Sequence, residues 1–159
     1  MRILTPALAG LLLLGGCVSA GTSGAINPLP AALAGGARVA SVELRNTPDG
    51  TAPGFDSRFE AAVQNQLNKC ATGSEALTLE VSLNGYYAPN PAMALFAPMK
   101  SQVSGVARLR NAGGAVVGEY RIEHSLMIGG IAGAAVAANA ESNMSNAFGR
   151  ELCKQAFRA

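Results

Sequence analysis

Residues 75–87, EALTLEVSLNGYY, alternate along their length. Leu77, Leu79, Val81 and Leu83 fall on one side and Thr78, Glu80, Ser82 and Asn84 on the other. A period of two is the signature of a half-buried strand. Residues 101–110 (SQVSGVARLR) and 115–125 (AVVGEYRIEHS) alternate in the same way and flank Asn-Ala-Gly-Gly, which predicts a hairpin. Setting Leu109 opposite Val116 places Ala107 by Gly118, Gly105 by Tyr120 and Val103 by Ile122. Arg108, Arg110, Glu119, Arg121 and Glu123 are then left on the other face. Residues 37–44 (ARVASVEL) predict a first strand with Ala40, Val42 and Leu44 on one face, and 45–54 is turn chemistry throughout.

Two stretches carry a helical period instead. Phe55, Phe59, Val63 and Leu67 recur every four residues, with Ala62 and Cys70 beside the stripe. Ser57 and Glu60 have the spacing of a capping box, although Phe55 favours an earlier start. From Asn139 to Phe157, Met144, Ala147, Phe148, Leu152 and Ala156 share a face, with Cys153 adjoining it. The order β-α-β-β-β-α predicts an α+β two-layer sandwich: a mostly antiparallel four-stranded sheet with two helices on one face, in a single domain over residues 37–159. Residues 18–36 are rich in Gly, Ala, Ser and Pro and predict a flexible tether, with Leu29 and Leu33 able to touch the domain. The uncharged segment 126–138 predicts a close-packed loop or early helical turns, its Gly129 and Gly133 spaced for close approach.

The N-terminus changes the picture. Arg2 precedes an apolar run, Ile3 to Leu14, broken only by Thr5 and Pro6. That run is short of the roughly 20 residues a membrane span needs and has the order of a secretory signal. It ends on Leu14-Gly15-Gly16-Cys17, which resembles the lipobox of bacterial lipoprotein precursors. The resemblance covers the first 17 residues and implies cleavage after residue 16, a diacylglyceryl thioether on Cys17, and residues 17–36 as a lipidated tether. Val18 stands where that family places Asp for inner-membrane retention, so the resemblance implies the outer membrane, facing the periplasm.

Three cysteines are present. With Cys17 lipidated, Cys70 and Cys153 remain in an oxidising compartment, where a disulfide is the economical reading and two separate buried thiols the alternative. Loss of Arg2 with the signal leaves 11 basic and 10 acidic side chains, which gives no basis for nucleic-acid binding. His124 is the sole histidine, no cysteine pair has metal-ligand spacing, and no phosphate loop, dinucleotide fingerprint or nucleophile motif is present. No catalytic residue, metal or cofactor is therefore expected.

Among proline-rich residues 88–102, Met93, Leu95, Phe96 and Met99 are candidates for contact with a protein partner or lipid. The alternative is that they fold back over the sheet edge. The expected function is a non-enzymatic outer-membrane lipoprotein, a tethered binding or assembly module for another envelope protein. The other reading is an auxiliary subunit of an envelope transport or export system, handling lipid or another apolar ligand between helices and sheet.

Overall fold

The computed structural model describes residues 19–157; the signal segment and the lipobox lie outside them. Short strands β1 (Ser19–Ala20) and β2 (Gly24–Asn27) lead into helix α1 (Ala31–Gly36). Then follow β3 (Ala37–Leu44), α2 (Phe55–Leu67), β4 (Glu75–Tyr87), α3 (Pro91–Phe96), β5 (Met99–Arg110), β6 (Val116–Ile128), α4 (Gly130–Ala138) and α5 (Ala140–Ala156). The strands form one sheet in the order β1-β6-β5-β4-β3, with β2 also paired to β6.

The α+β character holds, but the sheet has six strands rather than four and the described residues form five helices rather than two. The largest addition comes from the segment expected to be a free tether. Its described part, from Ser19 onward, pairs antiparallel along the open edge of β6: Ser19 faces Leu126, Ala20 faces Ser125, Gly24 faces Arg121 and Ala25 faces Tyr120. Backbone pairing needs no apolar side chains, so small polar residues can occupy a sheet edge as well as a linker. Leu29 then buries itself over Gly118, where a Cβ would stand 3.3 Å from the leucine, and its N–H donates to the Tyr120 hydroxyl at 2.7 Å.

At the other edge, β3 pairs with β4 in parallel, and α2 makes the connection that parallel neighbours require. A register break between Val39 and Ser41 shifts the phase of the strand, so Ala37, Val39 and Val42 are buried while Ala40 is exposed. The central hairpin is offset by two residues from the expected pairing. Leu109 faces Gly118, Ala107 faces Tyr120, Gly105 faces Ile122 and Val103 faces His124. The irregularity sits between Leu109 and Arg110, where Arg110 pairs with Val116 and leaves Val117 as the extra residue. In the turn, Gly114 takes a left-handed φ of 81°, and Asn111 accepts the Ala115 N–H through Oδ1 at 3.0 Å. A slip of two leaves side chains on the same face, so residues from Gly118 to Ile122 keep their expected faces; Val116, expected inward, is turned by the bulge to the face of Arg110 and is exposed.

Helices α2 and α5 pack together over one face of the sheet. Phe55, Phe59, Val63 and Leu67 descend from α2, and Met144, Phe148 and Leu152 from α5. They meet Leu77, Leu79, Val81, Leu109, Tyr120 and Ile122 from the strands in one buried core. The anticipated capping box does not form. Helix α2 starts after Gly54, which has φ 76°, and Ser57 Oγ donates to the Gly54 carbonyl at 3.1 Å. Glu60 is used elsewhere, accepting the Leu44 N–H at 2.8 Å.

Cys70 lies in the turn just past α2 rather than within a helix, and it is bonded to Cys153 of α5 with a Cα–Cα distance of 5.9 Å. The bond joins the C-terminal ends of the two helices that cover the sheet. The expected pairing is thus observed, and the two-thiol alternative is not.

Candidate interaction surface

The proline-rich stretch 88–102 is not an irregular loop: it holds a short helix and the start of β5. Pro91 occupies the first turn of α3, where its missing N–H leaves no hydrogen bond unmade. Asn90 caps that turn, its Oδ1 accepting the Ala92 N–H at 2.8 Å. The helix ends at Ala97, and Pro98 leads into β5.

The register of the hairpin decides what α3 meets. Met99 opens β5 opposite Ile128, the last residue of β6, so α3 and α4 leave the same end of the sheet and pack on each other. Ala94, Ile128 and Ala137 are buried between them, with Met99, Leu126 and Val136 half-buried around that small cluster. The close fit uses the two glycines singled out by spacing. A Cβ on Gly133 would stand 3.0 Å from the Ile128 carbonyl carbon, and one on Gly129 would stand 3.1 Å from Pro98 Cα. The 126–138 segment is therefore strand end and helix, and its small residues serve contacts within the chain.

The four candidate contact residues divide. Met99 faces the small cluster, whereas Met93, Leu95 and Phe96 are exposed, Phe96 at 85%. Two residues missed in the sequence join them at this end: Met127 near the end of β6 and Ile131 at the start of α4, the latter 83% exposed. The signal for them was available. Residues 88–99 and 125–140 contain no charged side chain, and any hairpin that pairs 101–110 with 116–125 brings those two segments to one end. The first charged side chain beyond them on β5 is the exposed Lys100, which pairs with Met127.

Ile26, Tyr87 and Val116 are the other large apolar side chains exposed among the described residues. On the open face of the sheet, Glu80 is flanked by Arg45 and Arg110, the latter's Nε 2.8 Å from Glu80 Oε2, and Arg108 Nε donates to Glu119 at 2.8 Å. Hydrogen bonding by Arg110 first and Arg45 second holds the Glu80 carboxyl below its usual range, against the opposing effect of burial. A carboxylate whose folded pKa is depressed adds stability that is complete above its unfolded pKa and is lost as pH falls through the folded value. Glu80→Gln is therefore expected to lower the melting temperature at neutral pH. That deficit should fade as the pH drops below the ordinary carboxylate value of about 4. A deficit in thermal melts that stays constant into strong acid would contradict this.

Between α2 and α5 runs an open groove of about 560 Å³, lined by Arg58, Ala62, Asn65, Asn139, Glu141 and Asn146 among others. Its two charges neutralise each other, Arg58 Nε lying 2.6 Å from Glu141 Oε1. Beside it, burial first and Glu141 second push the Tyr86 hydroxyl up to about 12, so it stays protonated at physiological pH. Burial lowers the pKa of the half-buried His124, with Arg150 and Lys154 acting in the same direction and Glu151 opposing. Among the described residues no cluster of three or more His, Cys, Asp or Glu side chains is placed to hold a metal ion. No described helix is long and apolar enough to cross a membrane.

An α+β domain with six sheet strands, two covering helices and one uncharged apolar end is thus defined. No family model and no curated protein matches its sequence. Solved structures share the fold. A single-substitution variant of PelC from Paraburkholderia phytofirmans, a dodecamer, superposes with a TM-score of 0.52 at 16% identity, covering 89% of this chain and all of that one. PelC from the same organism in another crystal form, also a dodecamer, gives 0.51 at 15% identity over 86% and 99% of the two chains. A lipoprotein candidate from Caulobacter crescentus reaches 0.43 at 16% identity over 71% and 85%, too distant to carry an argument. At these identities the likeness to PelC is one of fold.

Proposed function

We propose that the protein is a non-enzymatic lipoprotein of the outer membrane, held by acyl chains on Cys17 and acting on the periplasmic side as a binding or assembly module. The observation that carries this reading is the fate of the three cysteines. Cys70 and Cys153 are consumed by a disulfide of the kind an oxidising compartment sustains, which leaves Cys17, in the stretch that resembles a lipobox, as the remaining cysteine of the three in the sequence. The sharing of a fold with a protein solved as a dodecamer supports assembly, with further copies of this chain as the first partner to test.

The alternative, carriage of an apolar ligand between helices and sheet, is opposed by how that layer is filled. Phe59, Val63, Leu67, Leu79, Leu109, Ile122, Phe148 and Leu152 are all buried completely there. A carrier needs an apolar space of ligand size at that place.

Cys17→Ser is expected to abolish incorporation of labelled fatty acid and to move the protein from the membrane to the soluble fraction. Retention on membranes would overturn the anchor. Crosslinking of the wild-type protein in intact cells, followed by mass analysis, is expected to capture a defined oligomer or one envelope protein. Recovery of monomer alone would overturn the assembly role.

A further inference from the structure

We propose that the apolar end formed by α3 and α4 is seated in the phospholipid leaflet that holds the anchor, so that the sheet stands with this end down. The inference rests on lipidation of Cys17 and adds an orientation to it.

Ser19 pairs with Leu126, two residues before the end of β6 and four before α4 begins. Two residues of chain span at most about 7 Å, so the Cys17 sulfur is tied close to the α3–α4 end whatever path it takes. The first described backbone after Cys17 belongs to the sheet, so little slack remains to let the domain turn away. The far end of the hairpin, at Val116, is 12 residues along β6 from Ile128, about 40 Å at strand rise.

Chemistry at that end fits a lipid surface. Met93, Leu95, Phe96, Met127 and Ile131 are exposed, and the segments that carry them, 88–99 and 125–140, contain no charge that would resist transfer. Lys100, exposed beside Met127, has the length to reach an anionic headgroup while its stem lies along apolar surface. Apolar side chains of an interfacial segment sit about 5–10 Å into the headgroup boundary, a depth that short helices such as α3 can reach. A protein partner would meet the same residues, but the anchor brings lipid to them at no further cost of association.

The chain contains no tryptophan, so Phe96→Trp and Ile131→Trp each create a single fluorescent reporter at a site that is largely exposed. The full-length lipidated protein is purified and reconstituted into vesicles of phosphatidylethanolamine and phosphatidylglycerol carrying bromine on their acyl chains. After flotation, both reporters are expected to emit at shorter wavelength and to lose most of their intensity relative to unbrominated vesicles. Val116→Trp at the far end is expected to lose none. Protein that floats while neither α3–α4 reporter is quenched leaves the anchor intact and overturns the orientation. A blue shift without quenching assigns this end to a protein contact, which also overturns it. Protein that fails to float overturns the anchor and the orientation together.

Discussion

Replacing both Cys70 and Cys153 by serine is expected to destabilise the domain by about 4 kcal/mol and to lower its melting temperature by roughly 10–20 °C. The cause lies in the unfolded chain. The bond closes a loop of 83 residues, from the end of α2 through three central strands to α5. Opening that loop returns a large part of the denatured chain's freedom, by about 4–5 kcal/mol in the chain-entropy account. In the folded state little else should change. α2 and α5 remain packed through Phe59 and Phe148, and Gly149 lets the helices approach so closely that a Cβ there would stand 2.8 Å from Gln66 Cβ. Thermal melts followed by circular dichroism check this, with the wild-type protein in reductant expected to match the double variant. A fall of only a degree or two would show that the denatured chain is already compact around these segments.

How much of this molecule its sequence shows depends on whether a feature writes itself into side chains. The burial of Leu77, Leu79, Val81 and Leu83 on β4, and of Phe55, Phe59, Val63 and Leu67 on α2, follows directly from periods of two and about four. Alternation does not encode direction, so the parallel pairing of β3 to β4 was not legible. Nor does it separate registers that differ by two, hence the offset of the hairpin from Leu109–Val116 to Leu109–Gly118. Residues 19–27 pair through backbone, with Thr22 and Ser23 adding side-chain hydrogen bonds to Glu123, and a composition of small residues fits a sheet edge and a linker equally well. Helix α3 was hidden by Pro91, which breaks a helix from within but starts one when Asn90 caps it. Phe96, Met93 and Leu95 stood out as surface candidates by type. Ile131 and Met127 did not stand out by type; their place at this end follows only once the hairpin is used to bring the uncharged segments 88–99 and 125–140 together. The disulfide was legible by counting, since two cysteines remain once the lipobox claims the third.

Phe59→Ala is expected to cost about 3–5 kcal/mol, comparable to loss of the disulfide, although Phe96→Ala, the same chemical change, should stay within about 0.5 kcal/mol. Phe59 has no exposed surface, and its ring links the two covering helices. It stacks on Phe55 with centroids 5.7 Å apart and meets the edge of Phe148 at 5.5 Å. Truncation removes the transfer energy of the ring and leaves a void walled by β-sheet on one side, which cannot collapse into it without moving strands. Part of the loss should belong to the pair with Phe148. A double-mutant cycle of Phe59→Ala and Phe148→Ala is expected to give a coupling of about 0.5–1.5 kcal/mol. The two large effects act on different states, the disulfide on the unfolded chain and Phe59 on the folded core, so they should add. Together they amount to about 8 kcal/mol, within the 5–15 kcal/mol that holds a typical domain folded. Phe59→Ala in the disulfide-free protein is therefore expected to be largely unfolded at 25 °C by circular dichroism, although each change alone leaves a folded protein. A triple variant that still melts cooperatively above that temperature would place this domain near the top of that range. A Phe59→Ala protein that is already unfolded with its disulfide intact would place it at the bottom, with the loop closure unable to rescue a broken core.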